Sequence, residues 1–541
     1  MSAFTAAARA ASGQPLPPWA DARPVPAEVL ADITALVGLE VEVRTLLPHR
    51  LADDDHAVRA ERETYAEERI RLSGELSEAV STETLVRGAE LMRQRLDTLQ
   101  RRRGTQRSQR NLMAHMKGWA ITTHAVRQLA LEPKLFDLVV IDEASQCSIA
   151  AVVPLLFRAR RALIIGDPMQ LGHIPGISPE QERQARVRAG LTAAWLEDRR
   201  FAYHVYSAYH AAAQNGDAAL LLDEHYRCRP EIADVVNGHC YASRLEVLTN
   251  VRGQVPPVGI GGAGGRGPGR VLAWSDVPNG QSMRGPGDKS WCNPAEAAAV
   301  AAVVKELLQE LPETATVGVV TPFRAQKDAL EREIGGDRVR VGTVHAFQGG
   351  QRDVMVLSPV ATGNTPPGTA KWVANQVNLW NVAITRAKSQ LITVGDHGFW
   401  RDQTGLPHVL ATRSGLVSGG GAAPVPGSVP GVPRDPDREL LVDRVQQFLG
   451  ARGVERDAVV GGYPVDLLFA GAEGPVAVLV DTGPIPGRDP ARHLRLSQER
   501  ARLLVGLPFE GRAGAEGVVD VIRVPAWRAL AGDEALMPLF D

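Results

Sequence analysis

Two adjacent carboxylates at the end of an apolar run are the first chemistry this chain offers. The run Phe136-Asp137-Leu138-Val139-Val140-Ile141 leads straight into Asp142-Glu143 and then Ala144-Ser145-Gln146. A short buried strand that stops at such a pair delivers both acids to the C-terminal edge of a sheet. There one can hold a magnesium ion and the other can activate a water. Further on, Ala162-Leu163-Ile164-Ile165 passes through Gly166 into Asp167-Pro168-Met169-Gln170-Leu171. That is a second apolar strand, a glycine turn, and an Asp and a Gln placed to sense a phosphate. Either stretch alone reads equally as a core strand with a solvated end. The tandem favours a nucleotide-hydrolysing sheet.

Such a site needs a large scaffold, and 541 residues are too many for one core; length alone implies about three or four domains. A composition of 44% hydrophobic and 23% charged residues is ordinary for a globular chain. The net charge of -2 does not announce a nucleic-acid binder, so any basic surface must be local. Cys147, Cys228, Cys240 and Cys292 form no CxxC pair, which argues against a zinc site or a disulfide framework and fits a reducing cytosol. There is no secretory leader pattern and no apolar run of about eighteen residues, so a cytoplasmic location without a membrane span is expected.

The chain reads as six segments. Residues 1–116 begin Ala- and Pro-rich and turn helical and charged from Asp55 to Arg110, with Leu85, Leu91, Leu96 and Leu99 at helical intervals. The run Arg101, Arg102, Arg103, Arg107 and Arg110 is either a solvated helix face or a phosphate-contacting surface. Residues 117–247 alternate strands and helices, starting from a strand at Trp119-Ala120-Ile121. Residues 248–290 are rich in Gly and Pro and read as a looped connection. Residues 291–411 are a second α/β block, with a helix over Glu296–Leu311 and buried strands at 317–321, 353–357 and 390–394. Residues 412–436 are a linker without periodicity. Residues 437–541 restart with a helix from Arg438 to Leu449, followed by strands.

Five ordered motifs carry a resemblance over about residues 117–397. Asp142-Glu143-Ala144-Ser145 resembles helicase motif II, and Gly166 to Leu171 resembles motif III. His225-Tyr226-Arg227-Cys228-Arg229-Pro230 resembles the motif written QYRMHP in relatives. Gly342 to Gly349 resembles motif V, and Asn381-Val382-Ala383-Ile384-Thr385-Arg386-Ala387-Lys388 resembles motif VI. The order is that of superfamily 1 helicases, in the branch of the nonsense-mediated-decay and Okazaki-fragment helicases. The resemblance implies an α/β fold with two RecA-like P-loop NTPase lobes, the first incomplete and carrying a helical insertion. It implies ATP and Mg²⁺ as cofactors, and 5′→3′ movement on nucleic acid.

Roles follow by resemblance. Asp142 would hold Mg²⁺, Glu143 would activate the attacking water, and Gln170 would contact that water or the γ-phosphate. Arg227 and Arg386 would act as arginine fingers. Tyr226 would stack on adenine. Gly349 would belong to the nucleotide-contacting loop, and Gln351, where relatives carry Glu, would contact the sugar. Thr122, Thr123 and His124, then Thr321, Thr343 and His345, would touch backbone phosphates with little sequence specificity. The implied partner is single-stranded or partly duplex DNA rather than RNA.

One departure is large. The sequence contains no G-x-x-x-x-G-K-[ST]. The nearest text, Gly285-Pro286-Gly287-Asp288-Lys289-Ser290, has Asp before Lys and follows motif II, so it is a coincidence. A lobe without that strand and loop would leave sheet edges unpaired. The expectation is a C-terminal part of a longer helicase, with a phosphate loop supplied by a missing upstream segment or partner. The alternative is a non-catalytic nucleic-acid-binding relative. By itself the chain is expected to hydrolyse ATP poorly.

Residues 437–541 resemble restriction-endonuclease-like domains of the very-short-patch-repair type. Asp466 matches the first metal-binding acid of that family, and Asp481 a second. Leu479 stands where relatives carry another acid, and Thr482 where they carry Gly. The incomplete set implies a DNA-binding domain that does not cut. A structure-specific nuclease with a rearranged Asp466–Asp481 metal site, targeted by the helicase-like arm, is the alternative.

Overall fold

The computed structural model describes residues 118, 120–214, 220–261, 269–285, 287, 290–336, 338–347, 349–417, 436–450, 452–483, 489–509 and 517–540. The charged helical stretch expected over 55–110 lies outside these residues, as do Trp119 and Gln348. The chain divides into two compact units, Met1–Val139 with Ala150–Leu163, and Val140–Ile149 with Ile164–Asp541.

In the first unit, a 3₁₀ turn at Thr123–Gln128 follows exposed, non-strand residues at 120–122, where a strand was expected. Buried Arg158 ties the segment together, donating to the carbonyls of Ala130 at 2.8 Å, Pro154 at 2.8 Å and Leu129 at 3.2 Å. The strands Phe136–Ile141 and Ala159–Ile164 pair with each other. They were read as buried, yet Leu138, Val140 and Leu163 are each about half exposed. Apolar residues alternate outward on a pair that, among the described residues, no further strand joins.

The second unit is built around a six-stranded sheet in the order Gly415–Leu416, Leu272–Asp276, Ala387–Gly395, Arg352–Leu357, Val317–Thr321, Val339–Thr343, parallel throughout. Its central strands are apolar on both sides because both faces are covered. On one face the helix Pro294–Glu310 places Ala297, Val300, Val304 and Leu307 against Val317, Val319, Val354, Val356 and Ile392. That helix starts at a cap, where Asn293 Oδ1 accepts the Glu296 amide at 3.2 Å and Pro294 occupies the first turn. On the other face lie the helices Val377–Thr385 and Pro230–Cys240, the latter contributing Ile232, Val235 and Val236.

Two expected boundaries shift. Leu272–Asp276 is an interior strand of this sheet, although residues 248–290 were read as a looped connection. A strand of three apolar residues followed by Ser275 and Asp276, amid Gly and Pro, carries too little periodicity to be recognised. Gly415–Leu416 adds an edge strand inside the expected linker 412–436.

The C-terminal sheet runs Glu455–Arg456, Leu467–Ala470, Pro475–Asp481, Asp520–Pro525, with antiparallel pairing except for the last pair. The helix Pro490–Leu504 makes the crossover that the parallel pair requires. The helix Pro436–Leu449 packs Leu441, Val442 and Val445 on one face of the sheet. The opposite face is closed by Leu504, Leu507 and Tyr463 together with Val251 from the preceding domain.

Candidate active site

The two carboxylate-bearing turns start from neighbouring strand ends. The Ile165 amide donates to Ile141 O at 2.9 Å, and the Ala144 amide to Ile165 O at 2.8 Å. Gly166 lies so close that a Cβ there would meet Ser145 Oγ at 2.8 Å and Ser145 N at 2.9 Å, which excludes any side chain. Asp142 is exposed, and its Oδ1 accepts the Glu143 amide at 2.9 Å. Glu143 adopts a left-handed φ of 52° that ends the strand. A non-glycine residue held there stores about 1–3 kcal/mol of strain, which concentrates at functional sites. Gln146 Nε2 steadies the Glu143 carboxylate at 2.7 Å.

Asp167 is the hub of the second turn. Its Oδ1 accepts the Met169 amide at 2.9 Å, and its Oδ2 accepts Gln170 Nε2 at 2.9 Å and the Tyr241 hydroxyl at 2.7 Å. Burial, then the Asp167 charge, push the Tyr241 hydroxyl far up, so it stays a donor. Asn381 Nδ2 donates to Tyr241 Oη at 2.9 Å and to Met169 O at 2.8 Å. Asn378 Nδ2 donates to Gln170 O at 2.7 Å. The motif III turn is thereby bonded to the helix Val377–Thr385.

Arg386 ends that helix and is 4% exposed. Its Nε returns to Val382 O at 3.2 Å, its Nη1 donates to Gly350 O at 3.2 Å, and its Nη2 reaches Gln170 Oε1 at 3.4 Å. Burial and then the neighbouring Arg227 charge lower its pKa, while Glu143 acts in the opposite sense. A guanidinium nonetheless stays charged. Of the expected catalytic residues, Gln170 and Arg386 are in direct contact. Arg227 is exposed, with its carbonyl held by Gln254 Nε2 at 2.8 Å. The turn that presents it is locked by Cys228 N donating to His225 Nε2 at 2.9 Å and Arg229 N donating to Lys388 O at 2.8 Å. Burial lowers the His225 pKa to about 4, so Nε2 remains an acceptor. Burial also pushes the Cys228 thiol up to about 12, so it is packing rather than nucleophile.

Gly349, at φ 71°, and exposed Gln351 flank Gly350, whose carbonyl Arg386 holds. Tyr226 is 54% exposed, with its hydroxyl on Glu224. Of the residues expected to touch nucleic acid, Thr122 and His345 are exposed, and Thr123 and Thr343 are partly so. Thr321 is different. It is 0% exposed and its hydroxyl accepts the Phe323 amide at 3.4 Å, so it shapes the turn before the helix Arg324–Glu333 and offers no hydroxyl to a ligand. Tyr241 and Asn378 were not anticipated. Nothing adjacent to them in sequence marks them, because their partners lie in other segments.

Residues 49–173 and 205–398 each match the AAA domain family. These two AAA-domain matches, together with the relatives, support a superfamily 1 helicase. The first match takes in the whole of the charged stretch at 55–110. Relatives include the human 3′-5′ exoribonuclease HELZ2, 29% identical over 290 residues, 51% of this chain and 9% of that protein. The human DNA replication ATP-dependent helicase/nuclease DNA2 is 26% identical over 302 residues, 51% of this chain and 26% of that protein. Helicase SEN1 of Saccharomyces cerevisiae is 23% identical over 292 residues, 49% of this chain and 12% of that protein. The chain thus spans about a quarter or less of the length of these relatives. DNA2 and SEN1 among them are helicases.

The site's donors suit part of what that family implies. An exposed aspartate oxygen is a hard ligand of the kind Mg²⁺ takes. The cationic and amide ends of Arg227, Arg386 and Gln170 suit a terminal phosphate. Backbone amides of a phosphate loop are not found among the described residues.

The acids of the C-terminal domain do not suit a metal. Asp466 is 9% exposed, and Arg438 grips it with Nε on Oδ1 and Nη2 on Oδ2, both at 3.0 Å, while the Val480 amide donates to Oδ2 at 2.8 Å. Asp481 Oδ1 takes the Gly483 amide at 2.9 Å and pairs with His493 Nε2 at 2.6 Å. Its Oδ2 accepts Ser497 Oγ at 3.1 Å and Arg523 Nη2 at 3.3 Å. Every oxygen of the expected pair is already partnered, and no cluster of three metal-binding side chains occurs among the described residues. A cavity of about 450 Å³ lies beside Asp481 and the helix Pro230–Cys240, away from the Asp142–Arg386 cluster.

Proposed function

We propose that the chain is an ATP-driven nucleic-acid translocase or helicase whose hydrolytic end is Asp142, Glu143, Gln170, Arg227 and Arg386. The observation that supports this best is the Arg386–Gln170 contact, with Asp167, Tyr241 and Asn381 bridging the same two segments. An arginine and a glutamine from separate segments, aimed at one carboxylate-lined turn, can recognise a terminal phosphate from both sides and register its loss. Asp142 would hold Mg²⁺, which when bound neutralises phosphate charge. Glu143 would orient and deprotonate the attacking water, and Arg227 would face the same centre from the surface. Changes in this contact would alter how the bonded segments grip a strand. We read the substrate as DNA, moved 5′→3′, contacted by Thr343 and His345. The C-terminal domain we read as endonuclease-like in fold and DNA-binding rather than cutting, since its acids are neutralised internally.

ATP binding by the purified chain tests this reading. Saturable binding of a fluorescent ATP analogue is expected, falling about tenfold or more in Arg386→Ala and surviving in Glu143→Gln. With no G-x-x-x-x-G-K-[ST] in the sequence, turnover is expected to be slow. Absence of binding in the unaltered chain would overturn the motor reading.

A further inference from the structure

We propose that Arg492 and Arg495, on the C-terminal helix Pro490–Leu504, are positioning residues for the nucleotide site, acting through Glu224 on Tyr226. The proposal rests on the nucleotide site inferred above and on the Tyr226 stacking role that the motif resemblance implies. Glu224 divides its carboxylate between two tasks. Its Oε1 receives Arg495 Nη2, together with Arg492 Nη2 at 3.3 Å, and its Oε2 receives the Tyr226 hydroxyl. Arg492 also pairs with Asp223. Cations from one domain thus fix a carboxylate that fixes a tyrosine in another, one residue before Arg227.

The attachment beneath this relay is firm. Tyr463 Oη donates to Thr249 O at 2.7 Å in a buried setting. Arg252 Nη2 donates to the carbonyls of Leu503 at 3.3 Å and Arg502 at 3.4 Å, at the end of the arginine-bearing helix. Val251 is buried in one core with Val460, Tyr463, Leu504 and Leu507. A domain joined by a shared core holds a fixed distance to Glu224, whereas one joined by a flexible linker would not. The Tyr226 ring is more than half exposed, so little besides its hydroxyl anchor limits its rotamers. An anchored ring stacks at a lower entropic cost than a free one. Removal of the arginines should therefore weaken nucleotide binding and leave the hydrolytic residues in place.

The test uses the full chain and a fluorescent ATP analogue, with hydrogen exchange at residues 223–228. Arg495→Ala is expected to weaken binding by about fivefold, the upper range for a half-exposed ion pair, and to speed exchange at 223–228 but not at 167–170. Arg495→Lys should restore most of the affinity. In a Tyr226→Ala background, Arg495→Ala should add almost nothing, because the two act as one unit. Unchanged affinity in Arg495→Ala, or a full further loss in the Tyr226→Ala background, would overturn the relay alone. An unaltered chain that binds no analogue would overturn the nucleotide site, and the relay with it.

Discussion

Glu296 shows how much a single residue can depend on folding. It is fully buried, and its Oε1 accepts Ser358 Oγ at 2.6 Å and the Val360 amide at 2.8 Å. Burial raises its pKa to about 8, these hydrogen bonds oppose the shift, and Asp396 adds to it. An unfolded glutamate titrates near about 4.3. Below that pH both states are protonated and the folded state keeps its full advantage. As pH rises toward about 8 the unfolded chain alone releases the proton, so stability falls across that window. Glu296→Gln should flatten the decline of the urea midpoint over this range, and an unchanged slope would show that another group controls it. In sequence, Glu296 looks like an ordinary first-turn acid of a helix. Asp142, Glu143, Gln170 and Arg386 stand out as candidates in the sequence because charged and amide residues sit at the ends of apolar runs in a fixed order. Thr321 was misread because a threonine ending a strand looks the same whether its hydroxyl faces solvent or the following turn.

At the scale of elements, the bonded pair is the motif III turn and the helix Val377–Thr385. Tyr241→Phe removes the hydroxyl that joins Asp167 to Asn381 while leaving Gln170 on Asp167 and Met169 O on Asn381. The expected loss is about 1 kcal/mol, read as a lower urea midpoint at constant slope. Nucleic-acid stimulation of any ATP turnover should fall more than basal turnover does. Equal losses in both would mean that the bond stabilises without coupling. The strands at 317–321, 352–357 and 387–395 were readable because a parallel sheet buried on both faces demands unbroken apolar residues. Leu272–Asp276 was not, since its place between two strands comes from residues distant in the chain.

For the whole molecule, the C-terminal domain is part of the core rather than an appendage. A chain ending at residue 417 would uncover Val251, which is 6% exposed in the full chain. Losing the burial of one such side chain costs about 1.5–3 kcal/mol, so the remaining lobes should melt several degrees lower; an unchanged melting temperature would mean that they are independent. Because Arg438, His493 and Arg523 already occupy oxygens of Asp466 and Asp481, Mg²⁺ or Mn²⁺ should neither raise the melting temperature through this domain nor support DNA nicking. Metal-dependent nicking abolished by Asp466→Ala would reverse that reading. The sequence by itself determined the α/β character, the order of the helicase-like motifs and the identity of the acids and arginines, because strand burial and side-chain chemistry are local properties. Tertiary structure alone decided that Gln170 meets Arg386 and that arginines hold Asp466 and Asp481. It also decided that the helix Pro490–Leu504 reaches Glu224. Those contacts join residues far apart in the chain, and their partners are chosen by the packing of shared cores, which no local pattern encodes.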